Sequence, residues 1–230
     1  MTTILAGKVK TVFSTSDPNE VLIQYEDRVT AGNGRKELWV EGKGKVCCEI
    51  SKILFEKISQ VGIPNHYIGM HKENVMKCRT LDIIPIEVVV RNLAAGSIVR
   101  QTTIEEGTEF KWPLIEYYLK DDAKDDPLLT QDRIIQMGYN MEVVGEMDIM
   151  AREVNLILKQ IFDSIGLTLV DFKLEFGNDI RHGIFLADEL SPDGMRLWKE
   201  GQSFDKDLFR KEKGGMMEAY KYILTQLQSL

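Results

Sequence analysis

Leu169-Val170-Asp171-Phe172-Lys173-Leu174-Glu175-Phe176-Gly177, answered across a short polar turn by Ile184-Phe185-Leu186-Ala187-Asp188-Glu189-Leu190-Ser191-Pro192-Asp193, is the stretch that organises the chain. Alternation puts Asp171, Lys173 and Glu175 on one face of a strand and Val170, Phe172, Leu174 and Phe176 on the other, as a strand with one buried face requires. The second segment is apolar for four residues and then ends in Asp188-Glu189, so the two read as a hairpin loaded with charge. Two carboxylates on neighbouring strands with a lysine between them suit Mg²⁺, which takes one or two protein carboxylates plus phosphate oxygens and water. The lysine would meet a phosphate. A hairpin with an ordinary solvated charged face has the same pattern, so both readings stand open on these residues alone. Paired residues of an antiparallel hairpin share a face, so convergence of Glu175 and Asp188 requires the right register or a bulge that restores it.

At 230 residues and 43% hydrophobic, the chain can bury a sizeable core as one domain or two small ones. Its 36 acidic residues outnumber its 29 basic ones, and no basic block offsets the net charge of −7. This disfavours nucleic acid or an anionic membrane as partner, and an anionic substrate must be met by local cations. Cys47, Cys48 and Cys78 form neither an even disulfide framework nor a metal-ligand spacing, and read as reduced thiols. No leader pattern opens the chain, and no apolar run approaches the roughly 18 residues of a membrane span. The expectation is a cytoplasmic protein.

Residues 8–13 read as a strand, Asp17-Pro18-Asn19 as a turn and residues 21–25 as the returning strand. Lys8 and Lys10, two apart, share a face; the wet side of an edge strand explains them more simply than cations aimed at phosphates. Residues 30–35 read as a loop from their Gly and Asn content. After the Gly42-Lys43-Gly44 turn, helical spacing predicts a helix to about Val61, stopped by Gly62-Ile63-Pro64. Two short strands follow at 66–70 and 75–79. The most apolar segment, residues 83–90, reads as a buried strand with Pro85 at an entrance or edge position. It delivers Arg91 at its end, then Gly96-Ser97 opening a short helix. That arrangement suits an anion through free N–H groups, a hydroxyl and a guanidinium; an arginine paired with an acidic neighbour and a serine N-cap fit equally well.

Residues 114–119 read as a strand ending in the charged run from Lys120 to Pro127, a pattern usual for a solvated loop. Asn140 caps a long helix to about Ile165, its methionines part of a core stripe. Residues 196–198 and 203–213 read as loop or short helix, and Met216 to Leu227 as a last amphipathic helix. His66, His71 and His182 have no triad partners and read as surface or packing residues.

Over essentially its full length the chain resembles the SAICAR synthetase family, the ATP-dependent ligases of purine synthesis. Two motifs carry the resemblance: Ile84-Pro85-Ile86-Glu87-Val88-Val89-Val90-Arg91-Asn92-Leu93-Ala94-Ala95-Gly96-Ser97, and Leu169 to Gly177. Supporting matches are Gly7-Lys8-Val9-Lys10, Gly42-Lys43-Gly44, Lys120 to Pro127, and Asp188 to Asp193 followed by Arg196-Leu197-Trp198. The chain departs from the family pattern at Ala6, Gly32 and Cys47-Cys48.

The resemblance implies an α+β fold with an N-terminal antiparallel-sheet lobe (1–82), a C-terminal α+β lobe (83–230) and an ATP cleft between them, similar to the clefts of ATP-grasp ligases and protein kinases. It implies Lys8 and Lys10 on the ATP phosphates, Glu175 and Asp188 on Mg²⁺ and the nucleotide, and Lys173 and Asp171 as catalytic residues. It implies Arg91, Ser97, Lys120, Asp126, Asp193 and Arg196 as substrate contacts. The reaction implied joins L-aspartate to carboxyaminoimidazole ribonucleotide (CAIR), through an acyl phosphate, with small molecules as partners and a homo-oligomer such as a dimer as the assembly.

Overall fold

Turn chemistry and alternating patterns in the first third of the chain produce a sheet folded around one helix. The computed structural model describes residues 2–32, 35–179 and 183–230. Strands β1 (Thr3–Ala6), β2 (Lys10–Ser14) and β3 (Glu20–Tyr25) lead into a ribbon of β4 (Arg28–Ala31) and β5 (Lys36–Trp39). Helix α1 (Lys43–Gln60) and strands β6 (Tyr67–Lys72) and β7 (Val75–Arg79) follow. The long strand β8 (Asp82–Leu93) opens the second part, continuing through α2 (Ser97–Gln101), β9 (Glu109–Leu119), β10 (Leu128–Leu129), α3 (Gln131–Gln136) and α4 (Met141–Ser164). The chain ends with β11 (Thr168–Asp179), β12 (Gly183–Ala187), β13 (Met195–Lys199), β14 (Gln202–Ser203), α5 (Asp207–Arg210) and α6 (Met216–Leu227).

Among the described residues the strands form a five-stranded sheet ordered β1-β2-β3-β7-β6, the β4-β5 ribbon, and a seven-stranded sheet ordered β10-β9-β8-β11-β13-β14 with β12 also on β11. Every strand pair is antiparallel. Helix α4 covers the apolar face of the second sheet. Its Val144, Met147, Ala151, Val154, Leu158 and Phe162 are buried, as are Val88 and Val90 of β8 and Phe172, Leu174 and Phe176 of β11. Each large apolar side chain so withdrawn contributes roughly 1.5–3 kcal/mol. A reciprocal amide pair, Asn92 with Asn155 at 2.8 and 3.0 Å, satisfies the polar groups buried in that interface. Helix α1 packs on the first sheet and also against α6, so the C-terminal helix closes over the N-terminal part.

Several elements differ from the sequence expectation. Residues 30–35 are not simply a loop, because Arg28 to Ala31 pairs with Lys36 to Trp39 on either side of the turn. Lys10 begins β2 while Lys8 lies in the turn before it, where Gly7 N–H donates to the Lys10 carbonyl at 2.8 Å; β1 covers β2, so neither lysine is on an edge strand. Strand β8 runs past Arg91 to Leu93, because the guanidinium finds carboxylates within the sheet and the ladder need not stop. Pro85 sits in a central strand, at the irregularity where Glu87 faces Glu175 but Ile83 faces Gly177; the extra residues there excuse its missing N–H. Residues 196–198 are strand β13, not loop or helix: buried Met195 and Leu197 alternate with Arg196 and Trp198 over a span too short to announce itself.

Candidate active site

The site follows from how β11 is paired. On one side it meets β8, with Asp171 opposite Arg91, Lys173 opposite Val89 and Glu175 opposite Glu87. On the other side β12 takes only the half from Glu175 to Asp179, and β13 takes the half from Thr168 to Phe172. The chain leaves the sheet after Ala187, loops through residues 188–194 and returns at Met195, so the edge of β11 opens at Lys173. There the Lys173 N–H donates to the Gly194 carbonyl at 2.9 Å. Paired residues share a face, so Arg91, Glu87, Tyr118, Glu116, Asp171, Lys173 and Glu175 form one polar surface opposite the α4 core.

One end of this surface is a cluster of lysines and carboxylates. Lys173 Nζ lies 2.6 Å from Glu175 Oε1, 3.0 Å from Glu87 Oε1 and 3.8 Å from Asp188 Oδ2. Lys10 pairs with Asp188 and, at 3.0 Å, with Glu189, while Lys120 pairs with Glu175. Glu175 and Asp188 therefore meet at a single ammonium, by neither of the routes anticipated. Glu175 pairs with Ala187, so Asp188 would fall opposite Leu174 on the wrong face, and no bulge intervenes in that ladder. Instead Asp188 adopts a left-handed conformation (φ 62°) that swings its carboxylate to the polar side. Burial alone would raise the Asp188 carboxyl, but Lys10, Lys173 and Lys120 hold it well below the usual carboxylate range. Burial likewise works against charging Lys173 and is outweighed by Glu175, Asp188 and Glu87, which hold its pKa well above the ordinary value.

The other end is built on arginines. Arg91, 3% exposed, donates to Glu116 and Asp171 at 2.7 Å each, to Ser97 Oγ at 2.7 Å and to the Ala95 carbonyl at 3.1 Å. Arg196 donates to both oxygens of Asp171 at 3.0 and 2.8 Å and to Asp207 at 3.4 Å. Of the two readings of Arg91, pairing with acidic neighbours is thus realised. Ser97 is not an N-cap; Gly96 holds that position, and the Ser97 hydroxyl turns to Arg91. Asp171 is the link between the two guanidiniums.

Between the ends lies an open cleft of about 380 Å³, lined by Arg91, Ser97, Asp126, Asp171, Lys173, Asp193 and Arg196, seven of the residues singled out from sequence. Glu87, Tyr118 and Arg210 line it too. Lys120 and Glu175, and beyond them Lys10 and Asp188, adjoin it through Lys173. Lys8 does not join Lys10: it is 41% exposed and pairs with Asp122 at 2.5 Å.

Sequence reasoning passes over several residues that shape this site. Lys43, 2% exposed at the start of α1, pairs with Asp193, whose other oxygen accepts from Tyr220 Oη at 2.8 Å. Gly44 lets α1 approach so closely, since a Cβ there would lie 2.4 Å from the Tyr25 carbonyl oxygen. Lys206, 8% exposed, has its pKa lowered by burial, against the pull of Asp193. The charged run Asp205-Lys206-Asp207 and Arg210 is the signal that could have found this corner. His66 is buried at 3%, and burial brings its imidazole down to about 4, so it is neutral. His71 is exposed, and His182 lies outside the described residues. The thiols of Cys47, Cys48 and Cys78 are free and buried, and burial raises all three, Cys48 to about 12.

Residues 3–227 match the SAICAR synthetase family model. The chain belongs to the SAICAR synthetase family. The phosphoribosylaminoimidazole-succinocarboxamide synthase of Staphylococcus carnosus is 41% identical, with all of both chains covered. The crystal structure of the synthase from Ehrlichia chaffeensis is 37% identical and superposes with a TM-score of 0.96, covering 99% of each chain. A SAICAR synthetase in complex with ADP is also 37% identical, with a TM-score of 0.95 over 98% of this chain and 97% of that one. The expected α+β architecture is that of these SAICAR synthetase structures.

Proposed function

We infer that this chain catalyses the reaction for which its family is named: ATP-dependent joining of L-aspartate to CAIR, giving the succinocarboxamide, ADP and phosphate. The observation that carries this reading is the placement of two chemically different clusters at the two ends of one sheet face, linked by Asp171 and Lys173 of a single strand.

A carboxylate is a poor acyl donor, and ATP activates it as an acyl phosphate that the aspartate amine then attacks. The chain's part is alignment and charge compensation. Arg91, Arg196 and Ser97 suit the phosphate and carboxylate of the imidazole nucleotide, because guanidiniums grip two oxygens at once. Lys10 and Lys173 are held charged by their carboxylates and can pass to phosphate oxygens when nucleotide enters. Asp126 and Asp193 line the cleft between the ends, Lys120 reaches the substrate from its place beside Glu175, and Asp171 holds both guanidiniums in place. Lys8 would reach a phosphate only by leaving Asp122, so its contact with ATP is the least direct.

Mg²⁺ belongs to this reading. Among the described residues no three His, Cys, Asp or Glu side chains form a cage, whereas Glu175 and Asp188 offer an oxygen-only pair at one cation position. That set fits a cation completed by phosphate and water. When bound, Mg²⁺ would supply charge neutralisation on the phosphates.

The two larger sheets, from residues 3–79 and 82–203, support the lobes 1–82 and 83–230 to within a residue, Asp82 already beginning β8, with ATP between them. No helix among the described residues is long and apolar enough to cross a membrane; with the free buried thiols, this agrees with a cytoplasmic enzyme. A homo-oligomer would cover exposed Trp112 of β9 and Ile149 and Leu156 of α4. The reading is tested by ADP formation with purified chain, Mg²⁺ and each substrate in turn: release that requires both CAIR and L-aspartate supports it, and release without aspartate points to a small-molecule kinase.

A further inference from the structure

Two loops, one from each large sheet, meet beside the cluster of lysines and carboxylates. Residues 7–9 join β1 to β2 in the first sheet, and residues 120–127 join β9 to β10 in the second. Lys8 stands two residues before Lys10, and Asp122 two residues after Lys120; Lys10 and Lys120 hold Asp188 and Glu175. Lys8 Nζ itself lies 2.5 Å from Asp122 Oδ1, across 114 residues of sequence. Their side chains are 41% and 60% exposed, against 14% for Lys10, so this pair is the solvent side of the same end of the site.

The main chain of each loop is braced. The Gly7 N–H donates to the Lys10 carbonyl at 2.8 Å, the Gly7 carbonyl accepts from Arg28 Nη2 at 2.7 Å, and the Val9 carbonyl accepts from the Glu26 N–H at 2.9 Å. On the other side the Lys120 N–H donates to the Pro85 carbonyl at 3.1 Å, and the Leu119 N–H to the Pro127 carbonyl at 3.0 Å. Asp126 Oδ1 closes that loop on the Asp121 N–H at 2.9 Å. What is left to move is the flexible four-carbon stem of Lys8. Among the described residues Asp122 makes no other side-chain hydrogen bond or ion pair. Glu175 and Asp188 differ from it, since a metal would take over their charge when their lysines turn to phosphate. Asp122 and a phosphate have the same sign and compete for one ammonium.

We propose that the pair of Lys8 with Asp122 is an autoinhibitory latch on the nucleotide side of the cleft: nucleotide binding exchanges Asp122 for phosphate on Lys8, and its affinity is lowered by what the pair is worth. This rests on the reading of Lys8 as a phosphate contact. An exposed ion pair of this kind is worth a factor of up to about five in an equilibrium constant.

The test is ATP affinity by titration calorimetry, in Mg²⁺ and without CAIR or L-aspartate, for the parent, Asp122→Asn, Lys8→Met and the double variant. Both positions are exposed, so neither substitution disturbs the core. Asp122→Asn should bind ATP more tightly, by up to about fivefold, and should make no difference once Lys8 is Met. That dependence separates a latch from the general gain of removing a negative charge near phosphates. Unchanged or weaker binding by Asp122→Asn, or an equal gain in the Lys8→Met background, would overturn the latch. Lys8→Met made in the Asp122→Asn background should lose ATP affinity. If that loss is seen and the gain is absent, the latch alone is wrong; no loss there removes Lys8 from the phosphates, and the latch with it.

Discussion

Arg196 fills the space that a side chain on Gly96 would need: a Cβ built on Gly96 would lie 2.6 Å from Arg196 Nη2 and 2.8 Å from its Cζ. Gly96 also has φ 69° and ψ −123°, a conformation essentially closed to other residues. The glycine of the first motif and the arginine of β13 thus make one feature, in which a bare backbone lets a guanidinium come against the turn that presents Ser97. Gly96→Ala should displace Arg196 and strain the turn by about 1–3 kcal/mol. The expected outcome is a rise of tenfold or more in the Michaelis constant for CAIR, with that for ATP little changed. Equal changes in both would mean that the turn serves the whole cleft.

Arg91→Lys tests the other guanidinium. Arg91 is enclosed and holds Glu116, Asp171 and Ser97 at once, so this substitution is not expected to leave the fold unaffected. Lysine keeps the charge and loses the planar fork, leaving at least one buried acceptor unmatched at a cost of roughly 1–3 kcal/mol. Urea unfolding should record that loss, and the Michaelis constant for CAIR should rise with it. Parent-like stability with a raised Michaelis constant would show that the fork serves substrate alone.

Lys43 and Asp193 form a pair buried on both sides. Removing one partner leaves an uncompensated charge, so Lys43→Met should destabilise the chain by about 3–5 kcal/mol. Adding Asp193→Asn should recover part of that, measured as a coupling energy in a double-mutant cycle by urea unfolding. Additive effects would mean that the two charges do not depend on each other.

Asp205 is buried, accepts from the Leu197 and Asp207 N–H groups at 2.8 and 2.6 Å, and is pushed up to about 6 chiefly by burial. Because the folded chain holds this proton more tightly than the unfolded one, its contribution is fully present below about pH 4 and is lost as pH rises through about 6. Relative to Asp205→Asn, the parent should lose up to about 3 kcal/mol between pH 4 and 7. A constant difference across that range in urea titrations would contradict the assignment.

Much of this is legible in the sequence where one physical signal acts alone. Asn140, whose Oδ1 caps the Val143 N–H at 2.9 Å, and the apolar stripe behind it give α4; the stripe of α6 does the same. The alternation of β11 places Asp171, Lys173 and Glu175 on one face because sheet geometry allows nothing else. What alternation cannot reach is where two elements share an edge. The opening of β11 between β12 and β13 depends on a loop at residues 188–194, whose first residue, Asp188, leaves the strand pattern at φ 62°. Lys43 reads as part of a glycine turn, and only its burial against Asp193 makes it part of the site. Lys8 and Lys10 separate because Lys8 falls in the turn before β2, which parity counting across residues 8–13 cannot detect.

The central claim is that the two ends of this sheet face serve one ligation, and ADP release with each substrate omitted tests it most directly. The account predicts release with ATP, CAIR and L-aspartate together, and little when either CAIR or aspartate is left out. Equal turnover without aspartate would contradict it.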